Sequence, residues 1–219
     1  MLRILPTSWA PLLIGLLIGL IPASEAVSEP SELTTAYSQY KEALESQDYA
    51  TALVYARKSD QLAATELSAD DPRKAVLAYN LGTLYYRLER YQEAVEPLER
   101  AIKDYTALNG PGSMEILAPL KRQALNYQAL RNWRMAEKSY LAAMSLIEAS
   151  EGRKAVSLAP ILIQLNGVAE AQENYRRQQN YGRRALYIYD QAGQSRGLES
   201  ARIPLEVFQR LQHEPTVRV

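Results

Sequence analysis

The sequence contains no cysteine, one histidine and one phenylalanine among its 219 residues. Without cysteine there are no disulfides, thiol nucleophiles or thiolate-ligated zinc and iron–sulfur centres, and one histidine cannot build a multi-histidine metal site. Excess charge is also lacking, because 25 Lys and Arg balance 25 Asp and Glu. We therefore expect no bulk attraction to nucleic acid or to an anionic membrane, and we predict no metal, no cofactor and no nucleic-acid partner.

The first 26 residues have the pattern of a secretory signal peptide. Arg3 precedes an apolar run from Trp9 to Ile21, and small and polar residues follow up to Ala26, which is the order that export requires. The run of about thirteen residues covers roughly 20 Å, short of a hydrocarbon core of roughly 30 Å. We predict a signal peptide at 1–26, a mature start near Val27 and a periplasmic location. Contact with the membrane is expected only if this segment is not cleaved.

The remainder of the chain repeats with a period of 42 residues, and such a period should be sought before any element is assigned. Tyr49, Tyr91 and Trp133 are spaced by 42, and each precedes an alanine by three residues. The second repeat shows two stripes of apolar or small residues at helical spacing, and the first of them occupies i, i+3, i+4 and i+7. Their members are Ala78, Leu81, Gly82 and Tyr85 in the first stripe and Tyr91, Ala94, Leu98 and Ala101 in the second. Only Leu88–Arg90 separates the stripes, so each repeat is predicted to be an antiparallel helical hairpin.

Turn and cap residues place the repeats at about 31–66, 72–108, 114–150 and 155–192, followed by a capping helix and tail at 193–219. Asp71-Pro72 provides a cap and a first-turn proline, and Asn109-Gly110-Pro111 provides a stop. In the fourth repeat, the pair Tyr127 and Trp133 is matched with Tyr175 and Tyr181, at a spacing of 48. This alignment predicts six inserted residues near 150–154 and a second helix that begins at Tyr181.

The pattern of a small residue in the first helix and an aromatic-x-x-Ala opening the second resembles the tetratricopeptide repeat. The 42-residue length is similar to the kinesin-light-chain type, because the ordinary repeat has about 34 residues, and it suggests roughly one extra turn on each helix. The resemblance, together with the export segment, implies a bacterial exported member of this family. Its implied fold is an all-α, right-handed superhelical solenoid of antiparallel hairpins, acting as a non-enzymatic scaffold for protein–protein contact.

In this family the first helices line a concave groove that holds a protein or an extended peptide. The resemblance places ten groove residues here: Tyr37, Lys41, Tyr79, Asn80, Thr83, Tyr86, Arg87, Lys121, Arg122 and Gln128. Those of the second repeat are predicted to lie opposite the buried stripe, since each residue turns a helix by about 100°. Four of the ten are cations, which favours an acidic or C-terminal segment. An asparagine ladder toward the peptide backbone is incomplete, because Ser38 and Arg122 occupy the positions equivalent to Asn80.

Two other functions stay open. One is a membrane-tethered accessory subunit of an envelope machine, in TonB-type energy transduction or envelope biogenesis, since the first repeat resembles periplasmic repeats found with TonB-type transducers. The other is an enzyme of unknown type, which the residue inventory argues against. His213 stands in a charged tail, and Glu96 precedes Arg100 by four residues, a spacing typical of a solvated ion pair.

Overall fold

The computed structural model describes residues 30–193, and every element of secondary structure in that part of the chain is helical. The signal peptide predicted at 1–26 and the capping helix and tail predicted after Gly193 lie outside the described residues. The eight α-helices within residues 30–193 run in antiparallel pairs, and a 3-10 turn at Met114–Ile116 precedes the fifth. They are α1 (Glu32–Glu45), α2 (Tyr49–Glu66), α3 (Pro72–Arg87), α4 (Tyr91–Asn109), α5 (Leu117–Ala129), α6 (Trp133–Glu151), α7 (Leu158–Ala171) and α8 (Tyr175–Gln191). No described helix is long and apolar enough to cross a membrane.

The hairpins close through the same turn four times. Gln47, Glu89, Arg131 and Glu173 adopt φ between 55° and 60°, and they too are spaced by 42 residues. In each turn the next residue donates its backbone N–H to a carbonyl five residues earlier, as Arg90 does to Tyr85 at 2.9 Å. This is the Schellman arrangement, in which one left-handed residue satisfies the last carbonyls of a helix. None of the four is glycine, so each of these residues adopts a left-handed conformation that its Cβ makes unfavourable.

The fourth hairpin keeps the 42-residue period, and the predicted six-residue insertion is wrong. Helix α8 begins at Tyr175, 42 residues after Trp133 begins α6, rather than at Tyr181. The alignment failed because Gln178 replaces the alanine that follows the aromatic residue in the other three hairpins. Tyr175 keeps the aromatic residue of this register but is 64% exposed, so its ring contributes little to the core.

The core is continuous from one hairpin to the next. One cluster of buried residues joins α1 to α4 and includes Tyr40, Leu81, Tyr85 and Leu98. A larger cluster joins α5 to α8, and side chains of α4 such as Ile102 pack against it. Consecutive hairpins touch through the contacts of α2 with α3, α4 with α5 and α6 with α7. Each hairpin therefore buries its apolar faces partly against its neighbours, which is the physical basis of a solenoid.

Within a hairpin, a large residue on one helix faces a small residue on the other. Gly82 of α3 lies against Leu98 of α4, and a Cβ built on Gly82 would stand 2.6 Å from Leu98 Cγ. The equivalent buried positions hold Tyr40 with Ala56 in the first hairpin and Ala124 with Tyr140 in the third. Since the large and small members change places, the pair fills its space without requiring glycine at one fixed position. The second hairpin has its glycine on the first helix, and the fourth has a buried glycine, Gly182, on the second helix.

The second helix of each described hairpin is longer than its first helix. The second helices contain 17 to 19 residues and the first helices 13 to 16.

Candidate functional site

The first helices α1 and α3 form a cleft of about 260 Å³ at the N-terminal end of the array. Two of the predicted groove residues line it, Tyr37 and Lys41, and the Lys41 ammonium stands 5.5 Å from the centre of the Tyr37 ring. Tyr37 also stacks on Tyr40, with ring centroids 5.7 Å apart. We call this feature the α1–α3 cleft, and its lining residues are Leu33, Thr34, Tyr37, Ser38, Lys41, Arg73, Val76 and Leu77.

Arg87 is held against the neighbouring hairpin. Its guanidinium lies 5.0 Å from the centre of the Tyr49 ring and donates a hydrogen bond of 3.1 Å to the Tyr49 hydroxyl. A cation over an aromatic face contributes about 0.5–1 kcal/mol at an exposed site. Arg87 remains exposed, so it presents its charge at the surface while its position is fixed by α2.

Tyr86 joins two hairpins in a similar way. The Arg122 guanidinium of α5 lies 4.8 Å from the centre of the Tyr86 ring, and Tyr91 packs against the same ring at 5.4 Å. The buried Nε of Arg122 has no hydrogen-bond partner among the described residues. Arg122 is therefore partly used in packing, and Lys121 is the exposed cation of this helix.

The predicted groove residues of α3 do not all lie opposite its buried stripe. Tyr79 and Tyr86 are half-buried and pack against the core of the first two hairpins, and Asn80 and Thr83 are half-buried as well. The helical-wheel prediction was too narrow because α3 contacts α2, α4 and α5 and therefore buries more than one stripe. In α5, Gln128 is also engaged, because it accepts a hydrogen bond of 2.7 Å from the Tyr140 hydroxyl.

Charge is divided unequally between the first and second helices of the two central hairpins. Helices α3 and α5 contain five cationic residues and no acidic residue: Arg73, Lys74, Arg87, Lys121 and Arg122. Helices α4 and α6 contain seven acidic residues against four cationic ones: Glu93, Glu96, Glu99, Asp104, Glu137, Glu148 and Glu151 against Arg100, Lys103, Arg134 and Lys138. We call the exposed surface of the first helices α1, α3, α5 and α7 the first-helix face. Its centre is cationic although the whole chain is neutral.

Burial also raises the pKa of two tyrosines, Tyr40 and Tyr127. Burial, reinforced by the neighbouring Tyr37, raises the pKa of Tyr40 to about 12 although Arg87 acts in the opposite direction. Burial and a 2.7 Å hydrogen bond to the Glu99 carboxylate raise the pKa of Tyr127 to about 12. Both phenols therefore stay neutral at physiological pH, and neither is prepared to act as a base.

Sequence reasoning missed several residues of the α1–α3 cleft. Thr34 and Val76 share one register at a spacing of 42, one turn before Ser38 and Asn80, so extending the frame backward by one turn would have identified them. Arg73 lines the cleft and also forms an ion pair of 2.6 Å with the helix cap Asp71. No sequence pattern marks that double role. Among residues 30–193, no group of three or more His, Asp or Glu side chains could hold a metal ion.

The family comparison agrees with this geometry. Residues 32–107, which span the first two hairpins, match the model of the tetratricopeptide repeat. Residues 32–107 therefore carry tetratricopeptide repeats. The other two hairpins continue the 42-residue period of the matched ones, as in the long, kinesin-light-chain-like form of the repeat.

Solved structures show the same fold at low sequence identity. BtubC (BKLC) from P. vanneervenii is 18% identical, with a TM-score of 0.59 over 84% of this chain and 83% of that one. The TPR-like repeats of a kinesin light chain from Podosopora anserina are 15% identical to this chain, with a TM-score of 0.59 over 84% of this chain and 97% of that one. The apo form of RapI is 14% identical, with a TM-score of 0.65 over 84% of this chain and 69% of that one. No curated protein sequence matches the chain.

The described part of the chain, residues 30–193, thus has the fold of an all-α, tetratricopeptide-like solenoid. This fold supports a scaffold for protein–protein interaction with a protein or peptide partner, and proteins built from such repeats are typically non-catalytic.

Proposed function

We propose that the chain is an exported, non-enzymatic scaffold whose first-helix face binds an acidic protein segment. The observation that carries the proposal is the charge of α3 and α5, which contain five cations and no acidic residue. Cationic side chains on this face attract a carboxylate-rich segment through charge-assisted hydrogen bonds. They also raise the rate at which such a segment associates at low salt. The proposed contact residues are the ten predicted groove residues together with the α1–α3 cleft.

The surface is prepared for binding before the partner arrives. Arg87 is fixed by Tyr49 and Arg122 by Tyr86, so these side chains lose little rotamer freedom when a ligand arrives. Restricting the free state in this way reduces the entropic cost of association. The apolar floor of the α1–α3 cleft, with Leu33, Val76 and Leu77, would take an apolar side chain of the same segment.

A charge-reversal experiment tests the binding surface. Peptides are selected on the wild-type protein from a random library, and the affinities of the selected peptides are then measured for two double variants. Lys41→Glu/Lys121→Glu changes exposed residues of first helices, and Arg57→Glu/Arg134→Glu changes exposed residues of second helices. Both variants alter the net charge equally, so a general electrostatic effect would weaken binding to both alike.

The proposal expects enrichment of Asp and Glu in the selected peptides. It also expects at least a ten-fold loss of affinity in the first-helix variant and less than a three-fold loss in the control, with unchanged helical circular dichroism in both. Equal losses in the two variants, or peptides without acidic enrichment, would contradict it.

Export is tested separately by the N-terminus of the protein recovered from a bacterial host. The order of charge, apolar run and small residues in 1–26 supports cleavage after Ala26 and delivery to the periplasm. Mass spectrometry of the periplasmic fraction should find a mature chain that begins at Val27. Recovery of the full-length chain from the cytoplasm alone would refute the export proposal.

A further inference from the structure

We call the line along which two neighbouring second helices face each other a seam. Different side-chain contacts bridge the seams of this array. Between α2 and α4, Arg100 crosses the seam and bonds both carboxylate oxygens of Asp60 at 2.7 Å. Between α6 and α8, Arg184 crosses it and contacts Met144 Sδ at 3.7 Å, and it also pairs with Glu148. Arg100 and Arg184 occupy the same register of the 42-residue repeat, so one arginine position bridges both seams.

The seam between α4 and α6 lacks this bridge. The residue at the arginine register is Ala142, and Ile102 occupies the register of Asp60. A cleft of about 320 Å³ opens at this place, with α5 between the two helices. We call it the α4–α6 cleft, and its lining residues are Glu99, Ile102, Lys103, Leu120, Gln123, Met135, Lys138, Ser139 and Ala142. Seven of its nine lining residues belong to the second helices α4 and α6, and none of them lines the α1–α3 cleft.

Several polar groups in the wall of this cleft already have hydrogen-bond partners. Ser139 and Gln123 are 3% and 9% exposed, and the Ser139 hydroxyl donates a hydrogen bond of 2.7 Å to Gln123 Oε1. The Glu99 carboxylate already accepts a hydrogen bond of 2.7 Å from the Tyr127 hydroxyl. The remaining charges at the opening are the two exposed ammonium groups of Lys103 and Lys138.

We propose that the α4–α6 cleft binds a small amphipathic carboxylate. The apolar side chains of Ile102, Leu120 and Met135 would cover the hydrocarbon part, and Lys103 and Lys138 at the opening would hold the carboxylate. A volume of about 320 Å³ is at the lower end of ligand pockets, which range from roughly 300 to 1,000 Å³, so the ligand is small. A cationic ligand would meet two like charges with only one carboxylate to offset them.

The probe is sodium octanoate, titrated into the ¹⁵N-labelled full chain and followed by amide chemical shifts. 1-Octanol tests the contribution of the carboxylate, and octylammonium tests the sign of the charge. The key variant is Ile102→Asp/Ala142→Arg, which transfers the Asp60–Arg100 pair of the preceding seam into the cleft. Lys103→Gln/Lys138→Gln removes the proposed anion contacts, and Lys121→Gln is the matched control on the first-helix face.

The proposal expects saturable shifts at the amides that line the cleft, with half-saturation on the order of 1 mM for so small a ligand. The filled-cleft variant should bind at least ten-fold more weakly, and the double glutamine variant roughly two- to ten-fold more weakly, because exposed charges contribute modestly. The Lys121→Gln control should bind like the wild type.

Three results would overturn the proposal. They are non-saturable shifts, binding of octylammonium as tight as that of octanoate, and unchanged affinity in an Ile102→Asp/Ala142→Arg protein that keeps its helical circular dichroism. Loss of binding in the Lys121→Gln control alone would also overturn it, because the carboxylate would then occupy the first-helix face.

Discussion

Adding one methyl group at Gly82 should destabilise the array, although alanine is the better helix former. The new Cβ would stand 2.6 Å from Leu98 Cγ and 2.8 Å from Leu98 Cδ2, and Leu98 is fully buried. Overpacking of a core costs about 1–3 kcal/mol, whereas replacing a helical glycine by alanine contributes about 1 kcal/mol of stability. The net loss for Gly82→Ala is therefore about 2 kcal/mol at most.

The same substitution at Gly167 separates the two effects. Gly167 lies within α7, and a Cβ there would meet no atom within 4 Å. Only the gain in helix propensity remains, so Gly167→Ala should stabilise the protein by about 1 kcal/mol. A change of 1 kcal/mol corresponds to roughly 2–4 °C in Tm for a chain of this size.

Thermal unfolding followed by circular dichroism measures both changes, and a third variant tests the cause. In a Leu98→Ala background the obstruction is gone, so adding Gly82→Ala should stabilise that variant rather than destabilise it. The sign of the Gly82→Ala effect should thus depend on residue 98, as expected for side chains in contact. A fall in Tm at Gly82 that is the same with and without Leu98 would refute the packing argument.

Three further predictions concern an ion pair, a turn and a tyrosine. Arg177→Ala should lower the free energy of unfolding by about 1 kcal/mol, because the buried Glu137 carboxylate loses its 2.6 Å partner. The control Arg176→Ala should leave Tm unchanged. Equal changes in Tm for the two variants would refute this prediction. Glu89→Gly should raise Tm by relieving a left-handed residue, a gain of about 1 kcal/mol, and Glu89→Ala, which keeps the Cβ, should not. The raised pKa of Tyr127, about 12, favours the folded state below pH 10, and this contribution is lost as the pH rises from about 10 to 12. The midpoint of urea unfolding should fall over that interval less steeply in Tyr127→Phe than in the wild type, and identical slopes would contradict the assignment.

The repeat could be predicted because the residues that show its period are ones that close packing between helices requires. Ala52, Ala94 and Ala136 are each 0% exposed, so the alanine three residues after the aromatic residue is a direct record of close contact between helices. The fourth hairpin lacked that record, because Gln178 stands at the position of the alanine. Its start is still marked by Tyr175 in the aromatic register and by the left-handed turn at Glu173.

The candidate site was less predictable, since its contacts join residues of different helices. Arg87 bonds to Tyr49, 38 residues away, and the Arg122 guanidinium covers Tyr86 from the next hairpin. A helical wheel treats each helix alone and so cannot show which cations are engaged by neighbours. The α4–α6 cleft was missed for the same reason, because Ala142 is an ordinary helix residue until it is compared with Arg100.

The proposed function requires that a partner binds to the first helices. Hydrogen exchange of the full chain, with and without an acidic peptide selected as above, tests it most directly. The account predicts slower exchange in 72–87 and 117–129 when peptide is bound, with little change in 91–109 and 133–151. Protection confined to those second helices would contradict it.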